Sequence, residues 1–249
     1  MKFSMSAVWD DTRQMLAANA SLVAAVAGVF LFLPTLAFGY FVPEPTGGRD
    51  GPTLEMLMQH MRANWPLLLL VNLIGLIGNL ALFILTLDRD DPTVGGAIKA
   101  AALLLPVYFL TSFLSGLVIF VGLVLFIVPG LYLMARLAVA GPAIVAERLR
   151  NPVDALRRSV AVTKGNGWAI LALLLVLILA YFVLSLAGVY VLGSIFLLIG
   201  RAAGAEGLGE MLLLIFSTAL GAAFYTVLMV LLASLYRRLA EASGPTSGI

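Results

Sequence analysis

The sequence contains no cysteine and a single histidine, and only 11% of its 249 residues are charged. The absence of cysteine excludes disulfides, thiolate metal ligands and thiol nucleophiles. Soluble domains carry about 25% charged residues, so this chain has too little charge to cover a globule with polar surface. Its net charge of +2, from 15 basic and 13 acidic residues, is too small to indicate a nucleic-acid partner.

Catalytic motifs are absent as well. The chain has no nucleophile elbow, no phosphate-binding loop, no zinc-binding histidine pair and no pair of carboxylates within an apolar run. No nucleophile and base can be named together. We therefore expect a protein that is not an enzyme and that holds no cofactor and no metal.

Apolar residues make up 62% of the chain and form several long uninterrupted runs. A helix needs about 20 such residues to cross the hydrocarbon of a bilayer, and spanning segments must satisfy their own backbone groups. We predict an all-α polytopic membrane protein, a single transmembrane domain over residues 1–249. Its six transmembrane helices are predicted over 20–42, 66–87, 105–128, 131–148, 167–188 and 210–235.

Lysine and arginine are distributed unequally between the two sides of these spans. Eleven fall on the side that would carry both termini, and three fall on the other side. Because basic residues concentrate in cytoplasmic segments, we expect both termini in the cytoplasm. The eleven are Lys2, Arg13, Arg89, Lys99, Arg148, Arg150, Arg157, Arg158, Lys164, Arg237 and Arg238, and the three are Arg49, Arg62 and Arg201.

Amphipathic segments flank several of the spans. In the clearest, Asn151 is a good N-cap, Pro152 suits the first helical position, and Asp154 suits the positive helix end. Such helices lie in the headgroup plane. We predict interfacial helices over about 4–18, 53–64, 92–104 and 152–164, and three helical-hairpin repeats over about 4–87, 91–148 and 151–238. Whether residues 189–200 extend a helix or form a loop stays open.

Arg136 lies inside the fourth predicted span, where a charge is costly and is a functional candidate by default. One interpretation is structural: the side chain snorkels outward or bonds to helix carbonyls. The other is binding of a lipid phosphate or another anion. Pro142, in the same span, should kink the helix and free a carbonyl.

A basic cluster follows the fourth span and contains one acid. Basic clusters beside a span attract anionic headgroups, although simple orientation of the chain explains the same charges. Glu147 is expected to pair with Arg157 or Arg158, fixing the interfacial helix to the bundle. The lipid-binding candidates, together with Arg136, are Arg148, Arg150, Arg157, Arg158 and Lys164.

Two asparagines in the second predicted span complete the intramembrane polar candidates, together with Glu147. Asn72 and Asn79 are seven residues apart, so they share a helix face. Polar side chains commonly link helices in membranes. A polar translocation path is the alternative interpretation.

Residues 129–171 read PGLYLMARLAVAGPAIVAERLRNPVDALRRSVAVTKGNGWAIL. This segment resembles the membrane domain attached to glycerophosphoryl diester phosphodiesterases and the related YciC-like bacterial inner-membrane proteins. The resemblance implies a bacterial inner-membrane location. It does not imply the phosphodiesterase reaction, which in that family belongs to a separate soluble barrel with acidic metal ligands and paired histidines.

The sequence thus favours a lipid-associated scaffold or accessory factor that engages anionic lipids at its cytoplasmic face. A transporter or flippase for a lipid or small amphiphile is the alternative. Membrane lipids are the expected partners, with protein partners or a homo-oligomer left open.

Overall fold

A computed structural model describes residues 4–43, 45, 51–87 and 93–243 of the chain. Eleven α-helices and two π-helical segments make up this part of the chain, which contains no strand, confirming the all-α prediction. Lys2, Arg49, Arg89 and Pro92 lie outside the described residues. The α-helices are α1 (Met5–Ala18), α2 (Ala20–Ala27), α3 (Leu33–Phe41), α4 (Leu54–Leu87), α5 (Val94–Leu125), α6 (Ile127–Leu137), α7 (Ala140–Glu147), α8 (Pro152–Val162), α9 (Gly167–Ala187), α10 (Gly193–Ala202) and α11 (Glu206–Ser243).

Six helical stretches within the described residues are long and apolar enough to cross a membrane, as predicted. We number them span 1 to span 6 in chain order. They are Ala20–Phe41, Leu54–Leu87, Val94–Leu125, Ile127–Glu147, Gly167–Ala202 and Gly207–Ala242.

Two of the predicted interfacial helices are continuous with spans. Residues 53–64 were expected to lie apart from span 2, but α4 runs from Leu54 through Pro66 without interruption. The described part of the 92–104 segment likewise forms the first turns of α5, which continues through Pro106. Neither stretch contains a left-handed residue that could end a helix. The other two are separate helices, α1 and α8.

Residues 189–200 prove to be helical. The π-helical segment Gly188–Leu192 joins α9 to α10, so span 5 continues to Ala202. At Gly188 an added Cβ would lie 2.6 Å from the ring of Phe216, which explains why glycine stands at this close contact. The helix ends before Gly204, whose φ of 65° lies in the left-handed region that glycine adopts easily.

The packed core lies at one end of the bundle. Residues 80–85 of span 2 and 229–236 of span 6 are all buried there, together with parts of α1, α7, α8 and the first turns of α5 and α9. Elsewhere the spans expose large apolar side chains such as Phe113, Val176 and Phe182. Lipid hydrocarbon is the solvent that such a surface requires. We call the packed end the basic end, because α1, α8 and the last turns of spans 4 and 6 bring their charges there.

Helix α1 packs against the last turns of span 6. Val8 and Thr12 are buried at this contact, and Ser234 Oγ donates a hydrogen bond to the Val8 carbonyl over 3.2 Å. Residues near the two ends of the chain therefore meet at the basic end, on the same side of the bundle.

Three helix starts bury small or compact side chains four residues apart. The pairs are Val8 with Thr12, Ala97 with Ala101, and Ala155 with Ser159, all at most 1% exposed. The corresponding helices contact α11, α4 and α7, each the second span of a predicted unit. The threefold repeat itself stays a prediction.

Candidate functional site

Span 4 is interrupted between α6 and α7, at residues 138–139. Pro142 explains the break, because it has no N–H to donate to the carbonyl of Ala138, four residues earlier, and its ring crowds that carbonyl. Immediately before the break, the backbone carbonyl of Arg136 accepts hydrogen bonds from two hydroxyls of the neighbouring chain segment. Ser159 Oγ lies at 2.8 Å and Thr163 Oγ1 at 3.3 Å. The Arg136 carbonyl thus accepts its hydrogen bonds from side chains outside its own helix.

The same arginine returns a hydrogen bond through its side chain. Arg136 Nη2 donates to the carbonyl of Val160 over 2.7 Å. Val160 lies in the last turn of α8, where unpaired carbonyls give the helix end partial negative charge. Of the two structural roles expected for Arg136, the structure shows bonding to a helix carbonyl. We call this reciprocal set of bonds, formed by Arg136 with Ser159, Val160 and Thr163, the Arg136 clasp.

Local sequence accounts for the helix that the clasp holds. The Asn151 side chain accepts the Val153 N–H over 3.0 Å as an N-cap, and Pro152 follows at the first helical position. Ala155, Ser159 and Val162 form the buried face of α8. These side chains are small, so α8 lies close against span 4, and its longer basic side chains are left at the surface.

An open groove of about 530 Å³ lies between Arg136 and α8. Three of its lining side chains are basic and none is acidic, so the lining carries three formal positive charges. Arg136 is half-buried, whereas Arg157 and Lys164 are exposed. The lining residues are Arg136, Leu156, Arg157, Val160, Ala161 and Lys164.

Glu147 and Arg158 form a separate contact beside the groove. Arg158 Nε lies 2.6 Å from Glu147 Oε1, and the Tyr236 hydroxyl donates to the same carboxylate oxygen. Burial opposes the charged form of Arg158, but the hydrogen bonds with Tyr236 and Glu147 outweigh it and raise the pKa of the guanidinium. Of the two predicted partners of Glu147, the structure selects Arg158. This contact ties α8 to the ends of spans 4 and 6.

The remaining predicted site residues lie away from the groove. Arg148 and Arg150 are exposed in the connection between α7 and α8, with Arg148 in the left-handed conformation that ends α7. Asn72 is exposed on span 2 and donates to the Leu68 carbonyl of its own helix over 2.7 Å. Asn79 is half-buried, and its buried Oδ1 has no hydrogen-bond partner among the residues that the structure describes. The structure thus brings Arg136, Arg157 and Lys164 together, without the other candidates.

One charged contact is not among those predicted from the sequence. Asp11 of α1 lies 3.0 Å from Arg237 and 2.7 Å from Arg238, near the end of span 6. The hydrogen bond from Arg238 is the largest cause that lowers the pKa of Asp11. The only signal in the sequence was an acid on an amphipathic helix and an arginine pair more than 220 residues later.

One comparison with known proteins gives a match. A family model described as the membrane domain of glycerophosphoryl diester phosphodiesterase matches residues 101–246. This range is more than half of the chain and includes every residue that lines the groove. No curated protein and no solved structure matches the chain.

Proposed function

Because the chain belongs to the family of glycerophosphoryl diester phosphodiesterase membrane domains, we propose that it is a non-enzymatic membrane protein that binds anionic phospholipids at its basic end. In this role it serves as a lipid-associated scaffold or accessory factor. We further propose that it lies in a bacterial inner membrane with the basic end in the cytoplasm. The unequal distribution of lysine and arginine supports that orientation.

The observation that carries this proposal is the groove with three basic side chains and no acid. Guanidinium and ammonium groups form charge-assisted hydrogen bonds with phosphate oxygens. The clasp holds the Arg136 side chain in place, so part of the ordering cost of binding is met before the lipid arrives.

The surroundings of the groove suit a lipid better than a soluble anion. Val153 and Val160 are exposed on α8, and Trp168 is 63% exposed one turn beyond Lys164. Tryptophan prefers the interface between headgroups and hydrocarbon. A phospholipid can therefore place its phosphate in the groove and its acyl chains against these apolar side chains.

Lipid retention tests the proposal. The full chain is reconstituted in nanodiscs of phosphatidylethanolamine and phosphatidylglycerol, released without detergent and weighed by native mass spectrometry. Replacing both Arg157→Gln and Lys164→Gln removes the two exposed cations of the groove. Loss of one charge-assisted hydrogen bond costs about 1.5–3 kcal/mol, so we expect retained phosphatidylglycerol to fall roughly tenfold or more.

A matched control distinguishes lipid binding at the groove from general electrostatic attraction between anionic lipids and the basic end. Arg148→Gln with Arg150→Gln removes the same charge from exposed positions that do not line the groove. We expect this variant to keep its phosphatidylglycerol. Equal loss in both variants, or no loss in either, would contradict binding at the groove.

Asn79 supports the alternative function, a transporter or flippase for a lipid or small amphiphile. A buried amide oxygen without a partner in the described part of the chain is the kind of group that a polar path through the membrane offers. The groove lining does not include Asn72 or Asn79, and for that reason we favour binding over transport. Transfer of a fluorescent phospholipid between leaflets of proteoliposomes, faster than in protein-free vesicles and lost in Asn79→Leu, would reverse that preference.

A further inference from the structure

The turn between spans 3 and 4 is unlike the other described turns, because its surface is entirely apolar. Phe126 alone joins α5 to α6 in an extended conformation. Leu125, Phe126, Ile127 and Val128 are 57–71% exposed. Between Ser115 and Tyr132 the sequence contains no polar side chain. A turn that emerges into water normally carries polar side chains, whereas the residues that follow Phe126 are Ile127, Val128, Pro129 and Gly130.

The turn between α10 and α11 provides the contrast. It follows Arg201, contains Gly204 with a positive φ, and precedes Glu210 at the start of span 6. That composition suits water and headgroups. The turn at Phe126 has a surface that suits hydrocarbon only.

The length of α6 limits how far the turn reaches from the groove. Ten residues separate Arg136 from Phe126, and a helix rises about 1.5 Å per residue, so the distance along the axis is about 15 Å. The hydrocarbon of a bilayer is about 30 Å thick. If the turn reached the far surface, the three cations of the groove would lie in the middle of the hydrocarbon.

Two observations place the groove at the headgroup level instead. Arg157 and Lys164 are exposed, and exposed cations are strongly disfavoured inside hydrocarbon. The rings of Tyr132 and Trp168 also lie 5.1 Å apart, one turn from the groove, and such aromatic pairs mark the membrane interface.

We propose that spans 3 and 4 form a hairpin that enters and leaves the bilayer from the basic end, with residues 123–128 contacting lipid acyl chains inside the hydrocarbon. The number of apolar helices is unchanged, and both termini remain on one side. The contact between Gly122 and Gly130 closes the hairpin: a Cβ on Gly130 would lie 2.5 Å from the backbone nitrogen of Leu123. This hairpin needs only a groove at the level of the headgroups, whichever lipid the groove prefers.

Measuring the depth of spin labels in the bilayer tests the proposal on the full chain. The chain contains no cysteine, so each label attaches only at the cysteine that is introduced. Ile127→Cys places a nitroxide on the turn, Ala203→Cys on the turn before α11, and Asp154→Cys on α8. In phospholipid nanodiscs we expect the label at 127 to be relaxed by oxygen and protected from a water-soluble nickel chelate. Its depth should be about 15 Å from the groove, whereas the labels at 203 and 154 should be relaxed by the chelate.

Val124→Cys, one turn earlier and also exposed, repeats the measurement where the first variant does not fold. Nickel accessibility at 124 and 127 equal to that at 203 would overturn the proposal, because the turn would then emerge into water. Dipolar broadening between labels at 127 would also overturn the proposal if it persisted after the labelled protein was diluted with additional lipid. A second copy of the chain would then cover the turn.

Discussion

Removing the two hydroxyls that reach the Arg136 carbonyl should destabilise the protein by more than the sum of their separate effects. Ser159 and Thr163 are both fully buried, and both hydroxyls reach the same oxygen, at 2.8 Å and 3.3 Å. The Thr163 hydroxyl lies closer, at 2.7 Å, to the carbonyl of Ser159 in its own helix. In Ser159→Ala, the Thr163 hydroxyl can turn its one proton from the Ser159 carbonyl to the Arg136 carbonyl, so we expect a loss of about 0.5–1.5 kcal/mol, the net contribution of one hydrogen bond. Thr163→Val should cost a similar amount.

The double variant leaves the carbonyl without any donor at the break in span 4. A buried acceptor without a partner costs about 1–3 kcal/mol, so the double variant should show an additional coupling of about 1 kcal/mol. The assay is reversible unfolding of the reconstituted protein in mixed micelles with increasing denaturing detergent. Thr111→Val is the control, because among the described residues the Thr111 hydroxyl bonds within its own helix, to Val107, and to no other group.

Additive losses would refute the reasoning, because they would mean that the two hydroxyls do not share the Arg136 carbonyl. The shared carbonyl would be refuted equally if Thr111→Val combined with Ser159→Ala showed the same coupling. The coupling would then belong to hydroxyl removal in general.

Two further predictions concern other contacts. The depressed pKa of Asp11 means that its pairing with Arg238 stabilises the fold above the ordinary aspartate value of about 3.9 and loses that effect as pH falls through the lower folded value. Asp11→Asn should therefore lower the thermal midpoint at pH 7, and this difference should shrink as pH falls below the ordinary aspartate value. An equal shift at neutral and acidic pH would count against the ion pair. Gly130→Ala should open the hairpin and cost about 1–3 kcal/mol, measured by detergent unfolding. Gly116→Ala, where an added Cβ meets nothing within 4 Å, should be neutral or stabilising, and similar losses in both would contradict the close contact.

The transmembrane part of the fold could be predicted because its signal is local. Each span is a run of apolar residues, and each run is recognisable without knowing its neighbours. The ends of the helices were harder to place. Residues 53–64 differ from span 2 in polarity, but polarity does not end a helix, and Pro66 is accommodated within α4. The helical course of residues 189–200 depends on a π-helical segment that accommodates Phe216 of another helix.

The site could be predicted only in part, for a comparable reason. The caps of α8 are local, so its position in the sequence was clear from Asn151 and Pro152. The choice of Arg157 and Lys164 for the groove, with Arg158 directed to Glu147, depends on how α8 rotates against span 4. That rotation is set by the buried Ala155 and Ser159, and therefore by tertiary packing. No pattern within the chain relates Asp11 to Arg237 and Arg238.

The docking of α1 on the end of span 6 has a consequence for the order of assembly. Ser234 and Val8 are separated by 226 residues, so the surface that covers α1 is synthesised after almost all of the membrane helices. During synthesis, which proceeds at about 5–20 residues per second, Val8 and Thr12 of α1 stay uncovered until span 6 has been made. Such a contact of very high sequence separation closes late and slowly. Helix α1 is thus made before the six spans but docks only after the last of them, and its docking reports that span 6 has been inserted.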